Sequence, residues 1–175
     1  MIGKLMKTCQ QAFLLALALW GLAGLPDQAL ADDGSPVVLR VYGSEGEGSE
    51  PMAVFTKTDL EQMPLSTIRT ETIWTEGVQE FAGVSLLHLV NVLGISSGLL
   101  EASAANEYLI DIPVSDAVIN GPIIAYQRNG VPMSVRDKGP LWVIYPYDSD
   151  PKYKSEEVYA RSVWQLTHMT VLPEN

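Results

Sequence analysis

Few side chains in this 175-residue sequence are equipped for covalent chemistry. It holds one cysteine, Cys9, and two histidines, His88 and His168, which fall in separate predicted elements. There is no Gly-x-Ser-x-Gly elbow, so neither a Ser–His nor a Cys–His pair has visible constituents. One thiol excludes a disulfide framework and every multi-thiolate metal site, and two histidines need carboxylates to complete a zinc site. His88 lies off the apolar stripe of its predicted helix and reads as a solvated residue, while His168, between Thr167 and Met169, reads as half-buried in a strand. Asp148-Ser149-Asp150 has the alternating oxygens of a calcium loop but lacks the turn glycine and the distal glutamate, so it reads as an Asx turn ahead of Pro151. Glu45, Glu47 and Glu50 read as a flexible acidic loop. No metal is expected from these groups, and no catalytic residue can be assigned.

Binding chemistry is better represented. With 11 Lys+Arg against 21 Asp+Glu and a formal charge of −10, the chain offers nucleic acid no basic surface. The basic residues that do occur gather late: Arg128, Arg136, Lys138, Lys152, Lys154 and Arg161 balance the acids of residues 128–175, and the excess of acid lies before them. A locally basic hairpin and loop of this kind can frame a small anion, with arginine as the bidentate donor. Arg161 stands out because it immediately precedes an apolar strand. Trp74, beside Glu76-Gly77 at a turn, reads as a pocket-lining aromatic, whereas Trp142 and Trp164 on apolar strands read as core.

The elements that must position these residues follow from periodicity. Residues 1–31 carry Lys4 and Lys7, an apolar run over 12–25, Pro26, and Ala29-Leu30-Ala31, the layout of a cleaved secretory leader. Cleavage after Ala31 leaves residues 32–175 as a single domain without cysteine or membrane span, periplasmic or secreted. A strand is predicted over 37–42 and a polar turn region over 43–51. A helix capped by Thr56 and Asp59 follows, ending at Pro64, and then a Thr-rich strand over 65–74. Ser85 caps the clearest helix, with Leu86, Leu89, Val90 and Leu93 on one face and Gly94 as its stop. Residues 108–114 read as a strand ending in a short turn capped by Ser115-Asp116, and 123–126 and 131–135 as a hairpin about Asn129-Gly130. Residues 141–145 suit a buried strand, 147–159 a polar loop, and 162–172 a last long strand. Strands outnumber helices without a βαβ rhythm, so the class is α+β, β-rich, with mixed or antiparallel sheets.

Five stretches, taken in order, resemble the molybdopterin-binding domain of the sulfite-oxidase family. They are Phe81-x-Gly83-Val84-x-Leu86-x-x-Leu89 with Gly94; Tyr108-Leu109-Ile110-Asp111-Ile112-Pro113 with Asp116; Ile124-Ala125-Tyr126 with Asn129-Gly130-Val131-Pro132; Gly139-Pro140-Leu141-Trp142-Val143-Ile144-Tyr145-Pro146; and Ser162-Val163-Trp164. The resemblance implies that fold, and a cofactor-binding set of Thr70, Thr72, Trp74, Tyr108, Asn129, Arg136 and Arg161. In that family a cysteine thiolate upstream of the Gly-Val-x-Leu helix holds molybdenum; the corresponding stretch here, Thr70 to Gly77, has no sulfur. Trp142 also stands where the family tends to carry arginine. The resemblance therefore implies an exported, atypical binding or sensing module for a small anion, a pterin-like ligand or a partner protein. The alternative is a molybdopterin-dependent oxidoreductase that holds its cofactor without a protein thiolate.

Overall fold

The computed structural model describes residues 35–173; the predicted leader 1–31, with Cys9 and the cleavage point after Ala31, lies outside the described residues. β-Branched Val37, Val38 and Val41 favour the extended backbone of β1 (Val37–Tyr42), which returns as β2 (Ala53–Thr56). Thr56 then starts α1 (Lys57–Gln62) through the predicted capping box. Its hydroxyl accepts from the Asp59 N–H at 3.2 Å, and its own N–H donates to the Asp59 carboxylate at 2.7 Å. β3 (Leu65–Thr70), β4 (Gln79–Ser85) and α2 (Leu86–Val92) follow, and Ser85 Oγ accepts from the His88 N–H at the predicted cap. The remaining elements are β5 (Leu99–Ala104), β6 (Leu109–Pro113), β7 (Ile123–Arg128), β8 (Val131–Pro132), β9 (Trp142–Ile144), α3 (Glu156–Ala160) and β10 (Leu166–Leu172).

These strands form two sheets. One runs β2-β1-β10-β5-β6, with β1 and β10 parallel and its other pairs antiparallel; the second runs β3-β4-β7-β8, with β9 also paired to β7. The α+β class with mixed sheets is thus the observed one. Leu39, Val41, Leu100, Ala102 and Met169 from the first sheet share one buried core with Phe81, Val84, Ile124 and Trp142 from the second. Gly83 is dictated by its neighbour strand: a Cβ there would lie 2.0 Å from the Ile124 carbonyl oxygen, so only glycine lets β4 and β7 pair so closely.

Several elements differ from the sequence reading, each for a local reason. β2, β4, β5 and α3 are not predicted. β5 is Leu-Leu-Glu-Ala-Ser-Ala, a composition that favours helix, and only its pairing with β10 and β6 makes it a strand. β4 is buried through its centre and carries no alternation. β3 stops at Thr70 rather than continuing to Trp74, because the Thr72 hydroxyl accepts the Trp74 N–H at 3.1 Å and bends the chain into a turn. β10 begins at Leu166 rather than Ser162, since Gln165 takes a left-handed φ of 52°. Ser115 and Asp116 lie inside the 3-10 turn Val114–Asp116, which has no side-chain cap. Val135 belongs to the 3-10 turn Val135–Asp137 and not to the hairpin. His88 is half-buried instead of fully solvated.

Candidate functional site

The stretch 70–77, where the resemblance puts a metal-holding thiolate, has no sulfur and begins at the end of β3 with Thr70. Thr70 is fully buried. Its hydroxyl donates to Asp148 Oδ2 at 3.1 Å and accepts from the Asp148 N–H at 3.1 Å. The same carboxylate takes the Glu71 N–H at 2.6 Å, and its other oxygen pairs with Lys154 Nζ at 2.8 Å. The hydrogen bond from Lys154, followed by that from the Glu71 amide, holds the Asp148 carboxyl below its ordinary value. Asp148 is thus a tie between two loops, a role that its Asx-turn reading did not anticipate, while Asp150 caps the 3-10 turn Pro151–Tyr153 as that reading expects.

One turn further on, Thr72 bonds to the Thr75 hydroxyl at 2.8 Å and to the Trp74 amide, which presents the Trp74 ring inward. That ring meets Trp142 and Trp164 edge-on at 5.7 Å each, Tyr159 at 5.8 Å and Tyr147 at 6.3 Å. Beneath it, Trp142 is fully buried and donates its indole N–H to the Ser162 carbonyl at 3.1 Å. Ser162 Oγ in turn donates to the Val158 carbonyl and shares a hydrogen bond with the Tyr147 hydroxyl. Burial pushes the Tyr147 phenol well above its ordinary value.

Above this floor lies a cavity of about 330 Å³, walled by Trp74, Tyr108, Tyr159, Trp164, Ala104 and Asn106. Tyr108 spans its edge by donating its hydroxyl to the Ala160 carbonyl at 3.1 Å. Lys138 Nζ sits 4.1 Å from the centre of the Trp164 ring and 5.5 Å from that of Trp142.

Of the residues named from the sequence, the structure gathers Trp74 and Tyr108 on this cavity, with Thr72 holding the Trp74 amide, while Thr70 ties to Asp148. The other three lie elsewhere. Asn129, at a left-handed φ of 53°, secures the hairpin by accepting the Glu80 N–H and donating to Gln79. Arg136 is exposed on the turn Val135–Asp137. Arg161 faces a second, smaller depression, where its guanidinium lies 3.2 Å from Asp116 Oδ2, the same oxygen that accepts the Tyr145 hydroxyl at 2.8 Å. Sequence reasoning missed Tyr159, which fell in the region read as a polar loop, and placed Trp164 in the core. The density of aromatic residues between 145 and 164 is the signal that could have marked both.

These residues do not fit a molybdenum centre. The Thr70 oxygen is a hard donor already engaged by Asp148, the stretch 70–77 has no sulfur, and its Trp74 ring is packed against four other aromatic rings. Among the described residues no cluster of three or more His, Cys, Asp or Glu is arranged to hold a metal ion, and no helix is long and apolar enough to cross a membrane.

No protein-family model matches the chain, and no curated protein matches it in sequence. Among solved structures it is similar to the sulfane dehydrogenase SoxCD from Paracoccus pantotrophus, with a TM-score of 0.55 and 20% identity over 78% of this chain. The match covers 38% of that chain. At this identity the likeness shows the fold alone: a sulfite-oxidase-like arrangement shared with a distant oxidoreductase.

Proposed function

From a sulfite-oxidase-like fold whose stretch 70–77 carries no sulfur ligand, we propose that this protein is an exported binding or sensing module without catalysis of its own. Its ligand site is the aromatic cavity beside Trp74. The observation that carries this reading is that the sulfur-free stretch 70–77 supplies Trp74 to a space of about 330 Å³ walled by four aromatic rings, while Thr70 is fixed to Asp148. That volume is at the small end of the range for ligand pockets, roughly 300–1,000 Å³. Of the ligand classes the sequence suggests, a flat pterin-like ring suits these walls better than a bare anion, because Arg136 and Arg161 do not line them.

The test is a thermal-shift screen of the purified protein against pterins, oxyanions and candidate partner proteins, together with elemental analysis. Stabilisation by a ring-bearing ligand, weakened by Trp74→Ala and with the protein free of molybdenum, is the expected result. Molybdenum and pterin at near one-to-one would instead establish an oxidoreductase holding its cofactor without a protein thiolate. Export is checked by mass: the protein recovered from the periplasm or medium should begin at Asp32.

A further inference from the structure

The hydrogen-bonding groups on the walls of the Trp74 cavity are unevenly engaged, and the imbalance selects a ligand. Four of its acceptors are taken. The Ala160 carbonyl receives the Tyr108 hydroxyl, the Ser162 carbonyl the Trp142 indole, the Val163 carbonyl the Val143 N–H, and Asn106 Oδ1 the Tyr108 N–H. Its donors are not. The indole N–H groups of Trp74 and Trp164 and the Tyr159 hydroxyl have no hydrogen-bond partner among the described residues. No side-chain nitrogen or oxygen among those residues is both sealed from solvent and unpartnered, so these three groups are open to solvent or to the cavity. Indole nitrogen donates and never accepts.

Charge points the same way. No aspartate or glutamate lines the cavity, and the Lys138 ammonium lies against the outer ring of its Trp164 wall. An aromatic enclosure with carboxylates around it suits a quaternary ammonium; one with a lysine on its wall and idle donors disfavours that cation. We infer that the cavity takes a planar aromatic ligand bearing an anionic or strongly accepting oxygen, such as an aromatic carboxylate or a quinone-type carbonyl, received by Trp74, Trp164 and Tyr159. This inference rests on the reading of the cavity as a ligand site, and adds the polarity of what enters it.

Three probes of equal ring size test it by calorimetric titration of the intact protein: 2-naphthoate, 2-methylnaphthalene and 2-naphthyltrimethylammonium. Naphthoate should bind about tenfold or more tighter than the ammonium probe, the ratio expected for hydrogen bonds to a charged acceptor. Trp74→Phe and Trp164→Phe keep a ring and remove an N–H, so each should weaken naphthoate about three- to tenfold and leave methylnaphthalene unchanged. Lys138→Gln, outside the cavity lining, should weaken naphthoate alone and serves if a tryptophan variant fails to fold.

Equal or tighter binding of the ammonium probe overturns the inference while leaving the cavity a ligand site. So does a loss shared by all three probes in the Phe variants, since that would report packing. Absence of binding by every probe overturns both the inference and the assignment of the cavity.

Discussion

The short segment 160–162 separates two depressions of opposite character. On one side Ala160 and Ser162 line the Trp74 cavity; on the other, Arg161 faces Asp116, Tyr145 and Tyr153. The Arg161 side holds the charges, yet they close on one another. Asp116 Oδ2 accepts from both Arg161 and the fully buried Tyr145, whose phenol is pushed far above its ordinary value by burial and then by Asp116. The Trp74 side holds no charge among its lining residues but leaves the indole N–H groups of Trp74 and Trp164 and the Tyr159 hydroxyl without partners. A conspicuous arginine whose charge is already paired thus leaves less for a ligand to engage than accessible donors without partners beside apolar walls.

The largest expected effect comes from the ring beneath the Trp74 cavity. Trp142→Ala removes a fully buried ring beneath Trp74 and the donor to Ser162, and should destabilise the fold by about 3–5 kcal/mol in urea unfolding. A loss near 1 kcal/mol would mean that the cavity is loosely built. Asp116→Ala should cost about 2 kcal/mol, because the Tyr145 hydroxyl and Arg161 both lose their acceptor, and it should leave naphthoate affinity within about twofold. If that affinity falls as well, the two depressions are one site. Thr70→Val keeps shape and removes the tie to Asp148, for about 1 kcal/mol, read as the same shift in unfolding free energy.

The Asp148 tie also sets an acid limit. Its folded value lies below the unfolded one, about 3.9, so its contribution is complete above that pH and is lost as pH falls through the folded value. Unfolding free energies of the wild type and Asp148→Asn should differ at pH 6 and converge as the solution is acidified below about pH 4. A constant difference across that range would show that the carboxylate charge does not matter. The smallest effect is expected at the exposed Arg136: Arg136→Ala should change stability by less than about 0.5 kcal/mol and leave naphthoate binding alone.

The sequence was most legible where a signal is local. The Thr56–Asp59 box, the Ser85 cap and the Asn129-Gly130 hairpin each lie within a few residues of one another, and each is present. The ordered motifs of the sulfite-oxidase family carried the fold where pattern alone carried only its class. Long-range pairing was illegible: nothing in Leu-Leu-Glu-Ala-Ser-Ala announces a strand flanked by β10 and β6. The candidate site was half legible for the same reason. Trp74 and Tyr108 belong to recognisable turns or strands, but whether Arg161 or its neighbours Ala160 and Ser162 face the cavity depends on how α3 ends, and α3 itself was not predicted.

One consequence of the sheet order concerns when this fold can exist. β10, the last strand described, lies between β1 and β5 at the centre of its sheet, and β1 has its parallel partner only there. Tyr159 and Trp164, which complete the cavity, also arrive late. Among the described strands, the first must therefore wait for the last to gain its parallel partner, a long-range pairing of the kind that slows folding. A nick anywhere in β10 would therefore remove the middle of a sheet instead of trimming an edge.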